Sequence, residues 1–211
     1  MAKNLYQSPL FATQVYHGKL IANSKKLIQL VKDIKKESLQ ILNIDEQGHV
    51  WSEKNYPNGY TSYSSQDKLH KMSSTFTELD KHIQAHVQKF LKSLDYNAQS
   101  SDLKMTECWV NVMTQNAVHS AHSHPGSVLS GTFYVAMPKD ASPLKFQDPR
   151  LSHFMNAPTV KSNAKIQNQR FLTINSKPGD LILFESWLMH EVPLNISKEP
   201  RISVSFNYDW K

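Results

Sequence analysis

The chain has 211 residues, 39% of them hydrophobic and 20% charged, with a formal net charge of +6 at pH 7. That length suffices for one domain with a core built around a small-molecule cavity, and no apolar run approaches the roughly 18 residues of a membrane-spanning helix. The positive charge sits on lysines scattered over helix-like stretches such as Ser24-Lys25-Lys26 and Lys35-Lys36, which is the pattern of a solvated surface and argues against a nucleic-acid groove.

A single cysteine, Cys108, excludes an internal disulfide. The opening MAKNLYQSPLFATQVY lacks the apolar segment of about 7–15 residues that an export signal needs. Both point to a cytoplasmic protein. Only three arginines occur, Arg150, Arg170 and Arg201. Each rigid five-donor fork is a candidate for a specific anion contact rather than general solubility.

In chain order, Leu10 to Tyr16 reads as an extended entry. Leu27, Ile28, Leu30, Val31 and Ile34 recur at helical spacing, as do Leu79, Ile83, Val87, Phe90, Leu91 and Leu94, predicting two amphipathic helices. Residues 46–70 between them carry Gly, Ser, Asn and Tyr without a period and read as loop and short strand. From about Lys104 the pattern changes to short β-branched and aromatic runs, predicting strands at Thr106–Met113, Val118–His124, Leu129–Met137, Leu144–Gln147, Phe171–Ile174, Leu181–Phe184, Met189–Val192 and Ile202–Asn207. The expected architecture is mainly β: a jelly roll over residues 101–211, with residues 1–100 a helical apron packed on one sheet, all in a single domain. The polar stretch Ser152–Gln169 is long for a connection and reads either as a substrate lid or as a mobile loop.

Chemistry concentrates in three places. In His119-Ser120-Ala121-His122-Ser123-His124-Pro125, residues two apart share a face of a strand, so His122 and His124 can aim at one metal while His119, three residues back, should face away. Lys177-Pro178-Gly179-Asp180 forms a turn into the apolar Leu181-Ile182-Leu183-Phe184, which delivers His190 toward the core. In Arg201-Ile202-Ser203-Val204-Ser205-Phe206 the apolar residues alternate with Arg201, Ser203 and Ser205. That polar side is either a solvent face or a cavity wall on which a guanidinium could clamp a carboxylate.

These three elements in this order resemble the double-stranded β-helix dioxygenases that depend on iron(II) and 2-oxoglutarate. More narrowly, Trp109-Val110-Asn111, His122 to Ser127, Leu129-Ser130-Gly131-Thr132-Phe133-Tyr134 and Phe146-Gln147-Asp148-Pro149-Arg150 look like a little-characterised subfamily of such oxygenases from bacteria and phages. The resemblance spans roughly residues 105–207. It implies that His122 and His190 are metal histidines, that Arg201 clamps the distal carboxylate of 2-oxoglutarate with Ser203 beside it, and that Tyr134 and Asn111 line the pocket. It further implies Fe(II), 2-oxoglutarate as cosubstrate, and hydroxylation of an unactivated carbon with release of succinate and carbon dioxide.

One departure stands out: where the family has H-x-D or H-x-E, this chain has His124, a neutral ligand that leaves the metal one unit more positive. Asp148, on a later strand, is a candidate for the missing carboxylate. Two other readings remain open. A metal-binding cupin shares the jelly roll and H-x-H, but its glutamate four to five residues on is absent. A non-enzymatic module for glycans or nucleic acid could present Tyr56, Tyr60 and Tyr63 on its surface. Cys108 beside Trp109 reads as a buried small hydrophobe rather than a nucleophile. The primary substrate and the oligomeric state are not legible.

Overall fold

A computed structural model describes residues 10–20 and 24–210; the first nine residues, which bear on the export reading, lie outside the described residues. The two periodic stretches form α1 (Lys25–Ile44) and α4 (Ser74–Ser93). They bury Ile34, Ile41, Phe76, Leu79, Ile83, Val87, Phe90 and Leu91. Each such side chain withdrawn from water contributes about 1.5–3 kcal/mol before entropy is charged against it. Between them lie α2 (Glu46–Asn55), β2 (Gly59–Thr61) and α3 (Leu69–Met72).

The helix over 46–55 corrects the expectation of loop there. Its ten residues carry no apolar stripe, and it forms because Asp45 caps it, accepting the Gly48 N–H at 3.0 Å. The Asp45 carboxylate also accepts hydrogen bonds from Tyr60 (2.6 Å) and Ser65 (2.5 Å). This tertiary anchoring stands in for amphipathicity.

The remaining strands are β1 (Val15–Lys19), β3 (Leu103–Met113), β4 (His119–His122), β5 (Leu129–Ala136), β6 (Leu144–Gln147), β7 (Phe171–Ile174), β8 (Asp180–Glu185), β9 (His190–Val192) and β10 (Arg201–Trp210). They make two antiparallel sheets, one ordered β1-β8-β5-β10-β3-β2 and one ordered β4-β9-β6-β7. Two of the strands of the larger sheet, β1 and β2, come from the first hundred residues.

The six-stranded sheet is buried on both faces. Val110, Val112, Phe133, Leu181, Leu183, Ile202, Val204 and Phe206 pack with the helices. Met113, Tyr134, Ile182 and Phe184 face the smaller sheet, where they meet Leu144, Phe146, Leu188 and Val192. The alternation read in β10 holds: Ile202, Val204 and Phe206 enter the helical core, leaving Arg201, Ser203 and Ser205 to the space between the sheets.

The segment after β6 contains two short 3-10 turns, Leu151–His153 and Ile166–Asn168. With residues 10–15 it walls a cleft of about 600 Å³ at the open edge of the sandwich. Arg150 pairs there with Asp148 through Nε (3.0 Å) and Nη2 (2.9 Å), and the Arg170 guanidinium lies 3.2 Å from the Phe154 ring centroid. Among the described residues no helix is long and apolar enough to cross a membrane.

Candidate metal centre

His190 opens β9, directly across from His122 at the end of β4, and His124 follows two residues beyond His122. The ring centroids of His122 and His190 are 4.3 Å apart, those of His122 and His124 5.1 Å, and those of His124 and His190 5.2 Å. One nitrogen from each ring lies within 4.8 Å of the others, a spacing that a single ion can bridge. The turn beyond Gly126 (φ +96°) sends the chain out of the site, and the His124 N–H donates to Ser186 O at 2.9 Å, holding the end of this segment against the β8–β9 connection.

Hydrogen bonding sets the tautomers. His122 Nδ1 lies 2.7 Å from Ser120 O and His190 Nδ1 lies 2.9 Å from Leu188 O. A carbonyl only accepts, so both Nδ1 atoms carry the proton and both Nε2 lone pairs are left for a metal. Burial, reinforced by the neighbouring His122 ring, pushes His190 down to about 3 and His124 down to about 4, and burial lowers His122 as well. All three rings are therefore neutral, the ligating form, at physiological pH.

His119 corrects the expectation that it faces away. The ladder pairs His119 with Val192 and His122 with His190, so three steps along β4 match two along β9. The extra residue is a bulge, which returns His119 to the side of His122. Their rings stack at 4.3 Å and 25°. Asp148 is not brought to the histidines; both of its oxygens are taken by Arg150 on the cleft rim. Tyr56 and Tyr60, which the binding-module reading would place on a surface, are each only 3% exposed, while Tyr63 is exposed and edges onto Trp109.

One cavity joins this cluster to the third sequence element. Its lining includes His122, His124, His190, Arg201, Ser203, Asn111 and Tyr56. Arg201 is 2% exposed; its Nε donates to Ser142 O and its Nη1 to Ser203 Oγ, both at 3.1 Å. No carboxylate among the described residues lies within ion-pair distance of it. A buried guanidinium without a counter-charge is costly, and the remaining donors of its fork are suited to an incoming anion. Three further polar atoms are buried without a partner, Asn111 Oδ1 and Tyr56 Oη on residues that line the same cavity and Tyr134 Oη on the ring that packs near the guanidinium. The Tyr134 hydroxyl sits near Ser176 and Arg201 without meeting hydrogen-bond geometry to either, its ring 5.2 Å from the guanidinium. Neutral imidazoles at one end and an unmatched cation with orphaned hydroxyls at the other fit a divalent metal and a dicarboxylate bridging the two.

Comparison with known proteins agrees. Residues 107–207 match the family described as "Putative 2OG-Fe(II) oxygenase". The fold is shared with the epimerase SnoN, solved with Fe3+, alpha ketoglutarate and nogalamycin RO, at 15% identity over 93% of this chain and 79% of that one (TM-score 0.63). It is shared with HygX from Streptomyces hygroscopicus, solved with nickel and 2-oxoglutarate, at 13% identity over 94% and 84% (TM-score 0.61). A Pseudomonas putida prolyl-4-hydroxylase aligns at 12% identity over 96% and 95% (TM-score 0.58). No curated protein sequence matches the chain. Residues 107–207, the jelly roll, thus match the 2OG-Fe(II) oxygenases, and the chain shares the double-stranded β-helix fold of neighbours that are 2-oxoglutarate/iron(II)-dependent oxygenases.

Proposed function

We propose that this enzyme hydroxylates a small organic substrate, with iron(II) held by His122, His124 and His190 and 2-oxoglutarate lying between that metal and Arg201. The observation that carries this reading is Arg201, buried without a counter-ion in the cavity that the three histidines line. Iron(II) with 2-oxoglutarate supplies the oxidising chemistry, one oxygen atom of O2 going to succinate as carbon dioxide leaves and the other to a substrate carbon.

The chain's own residues bind, orient and exclude water. The Ser120 and Leu188 carbonyls keep the Nε2 lone pairs of His122 and His190 turned to the metal. Arg201 grips the distal carboxylate of the cosubstrate, steadied by Ser142 O and Ser203 Oγ. Tyr134 packs beside the guanidinium, and Asn111 Nδ2 donates to Ser205 Oγ (3.0 Å), leaving its Oδ1 to the cavity. Phe146 and Phe184, with ring centroids 6.1 Å and 4.6 Å from that of His190, keep the site dry.

The primary substrate belongs in the 600 Å³ cleft, a volume typical of small-molecule sites. Phe146 and Leu188 line it, and Phe146 brings it within one side-chain layer of the metal ligands. A cleft of this volume supports a small molecule over nucleic acid as partner. The lone thiol, Cys108, fully buried in β3 and pushed above the usual range by burial, suits a cytoplasmic enzyme without disulfides.

The test is an anaerobic titration of 2-oxoglutarate into the iron(II)-loaded protein, read by the visible charge-transfer band of the chelate. A saturable band supports the assignment. Bound metal without a band points to a cupin-like site, and failure to hold metal points to a binding module.

A further inference from the structure

The sheet register places a residue from outside the jelly roll at the Arg201 end of the cavity. Gly59 of β2 pairs with Met113 of β3, and Met113 pairs with Arg201 of β10. Directly paired residues share a face, so the row Gly59, Met113, Arg201 points into one space, with its outer members about 10 Å apart across two strand spacings. Met113 Sδ lies 3.6 Å from Arg201 Nη1 in the middle of that row. Gly59 has no side chain to contribute, and the tip of the Tyr56 ring occupies its place: a Cβ built on Gly59 would come 2.7 Å from Tyr56 Cζ and 2.8 Å from both Cε atoms.

The Tyr56 ring is held from the other side as well. It packs against His119 with centroids 4.9 Å apart, and His119 stacks on His122 at 4.3 Å, so three rings run from the helical layer to the metal ligands. The β4 bulge makes this stack possible. Yet the Tyr56 hydroxyl, 3% of the residue being exposed, has no hydrogen-bond partner. A buried O–H without an acceptor is destabilising, because it has lost its hydrogen bonds to water and gained none. Arg201, on the far side of Met113, attracts into this space the acceptor that the hydroxyl lacks.

We propose that Tyr56, supplied by the helical layer rather than the jelly roll, is a cosubstrate-binding residue: its Oη donates a hydrogen bond to the distal carboxylate of 2-oxoglutarate, and His119 is the positioning residue that fixes its ring. This rests on the assignment of Arg201 as the carboxylate clamp. The phenol stays protonated throughout, so no proton transfer is involved. Binding of the cosubstrate thereby ties the turn after α2 to β10.

The experiment compares wild-type protein with Tyr56→Phe, both loaded anaerobically with iron(II). It measures dissociation constants for 2-oxoglutarate and for 2-oxobutyrate, which chelates the metal in the same way but has no distal carboxylate. Metal content and metal-free melting temperature are measured on the same samples. The variant should bind 2-oxoglutarate about 10- to 100-fold more weakly, the range of a hydrogen bond to a charged acceptor. It should bind 2-oxobutyrate as wild type does, keep its metal, and melt at the same temperature or higher, since an unpaired buried hydroxyl has been removed. Unchanged affinity for 2-oxoglutarate, or equal losses for the two acids, overturns the proposal. If the wild type itself fails to bind 2-oxoglutarate, the clamp assignment falls first, an outcome readily told apart from failure of Tyr56 alone.

Discussion

Replacing Arg201 with methionine, which keeps much of its volume and removes its charge, separates a binding role from a structural one. In the wild type the fork spends Nε on Ser142 O and part of Nη1 on Ser203 Oγ, so the remaining donors are left for the proposed cosubstrate carboxylate. Removing one partner of a buried, hydrogen-bonded charge pair costs about 2–5 kcal/mol, which at about 1.4 kcal/mol per decade is a loss of roughly 30- to 4000-fold in 2-oxoglutarate affinity. Stability of the metal-free protein should move the other way or stay level, because the variant no longer buries a cation without a counter-charge. The two quantities are read by the anaerobic charge-transfer titration and by urea unfolding of the apoprotein. Wild-type stability also rises with 2-oxoglutarate, by about 2.7 kcal/mol at a hundred times the dissociation constant, and the variant should keep less than about 1 kcal/mol of this increment at the same concentration. A variant that binds 2-oxoglutarate normally but unfolds more easily would refute the argument and make Arg201 a strut for the Ser142 loop.

His190→Ala, which removes the most buried of the three proposed ligands, should leave the protein unable to hold metal through gel filtration, as measured by elemental analysis. His124→Asp should retain metal, since the position tolerates the carboxylate of the usual triad; total loss would mean that the third imidazole is specifically required. Asp45→Ala removes the cap of α2 and the acceptor for Tyr60 and Ser65, and should lower unfolding free energy by about 2–4 kcal/mol in urea. Burial raises the Asp45 carboxyl, but hydrogen bonds from Ser65, Tyr60 and the Gly48 N–H outweigh it and leave the group below its ordinary value. Its contribution is then present above the unfolded carboxyl range and is lost as pH falls through the lower folded value, so wild type and variant should converge in stability under strong acid.

Much of this was legible in the residues. The period of two in β10 separates Ile202, Val204 and Phe206 from Arg201, Ser203 and Ser205, and the structure keeps that separation. Spacing also places His122 with His124, and the Pro-Gly turn announces the strand that leads to His190. What stayed hidden depends on contacts distant in sequence. The helix after Asp45 has no stripe to betray it, its support coming from Tyr60 and Ser65. The side on which His119 emerges is set by a ladder slip against Val192, which no local rule reports. Tyr56 resembles a surface aromatic until the β2–β3–β10 register sets it on the face that carries Met113 and Arg201. The signal that could have flagged it is Gly59 three residues later, a position where a missing side chain makes room for a large one.

The one-residue slip in β4 has a consequence for how histidine spacing encodes a pocket. A regular strand turns only even offsets to one side, so His119 and His122, three residues apart, could not share a side on it. With a single inserted residue, offsets of three and two both turn inward, and one short segment contributes a pair of candidate ligands together with the ring that joins it to the α2 turn. Shortening the segment by one residue would keep every imidazole on the inner side while changing the bend of the strand, and so the distance from the metal group to Tyr56. The insertion therefore sets how far the Tyr56 ring stands from the histidine cluster.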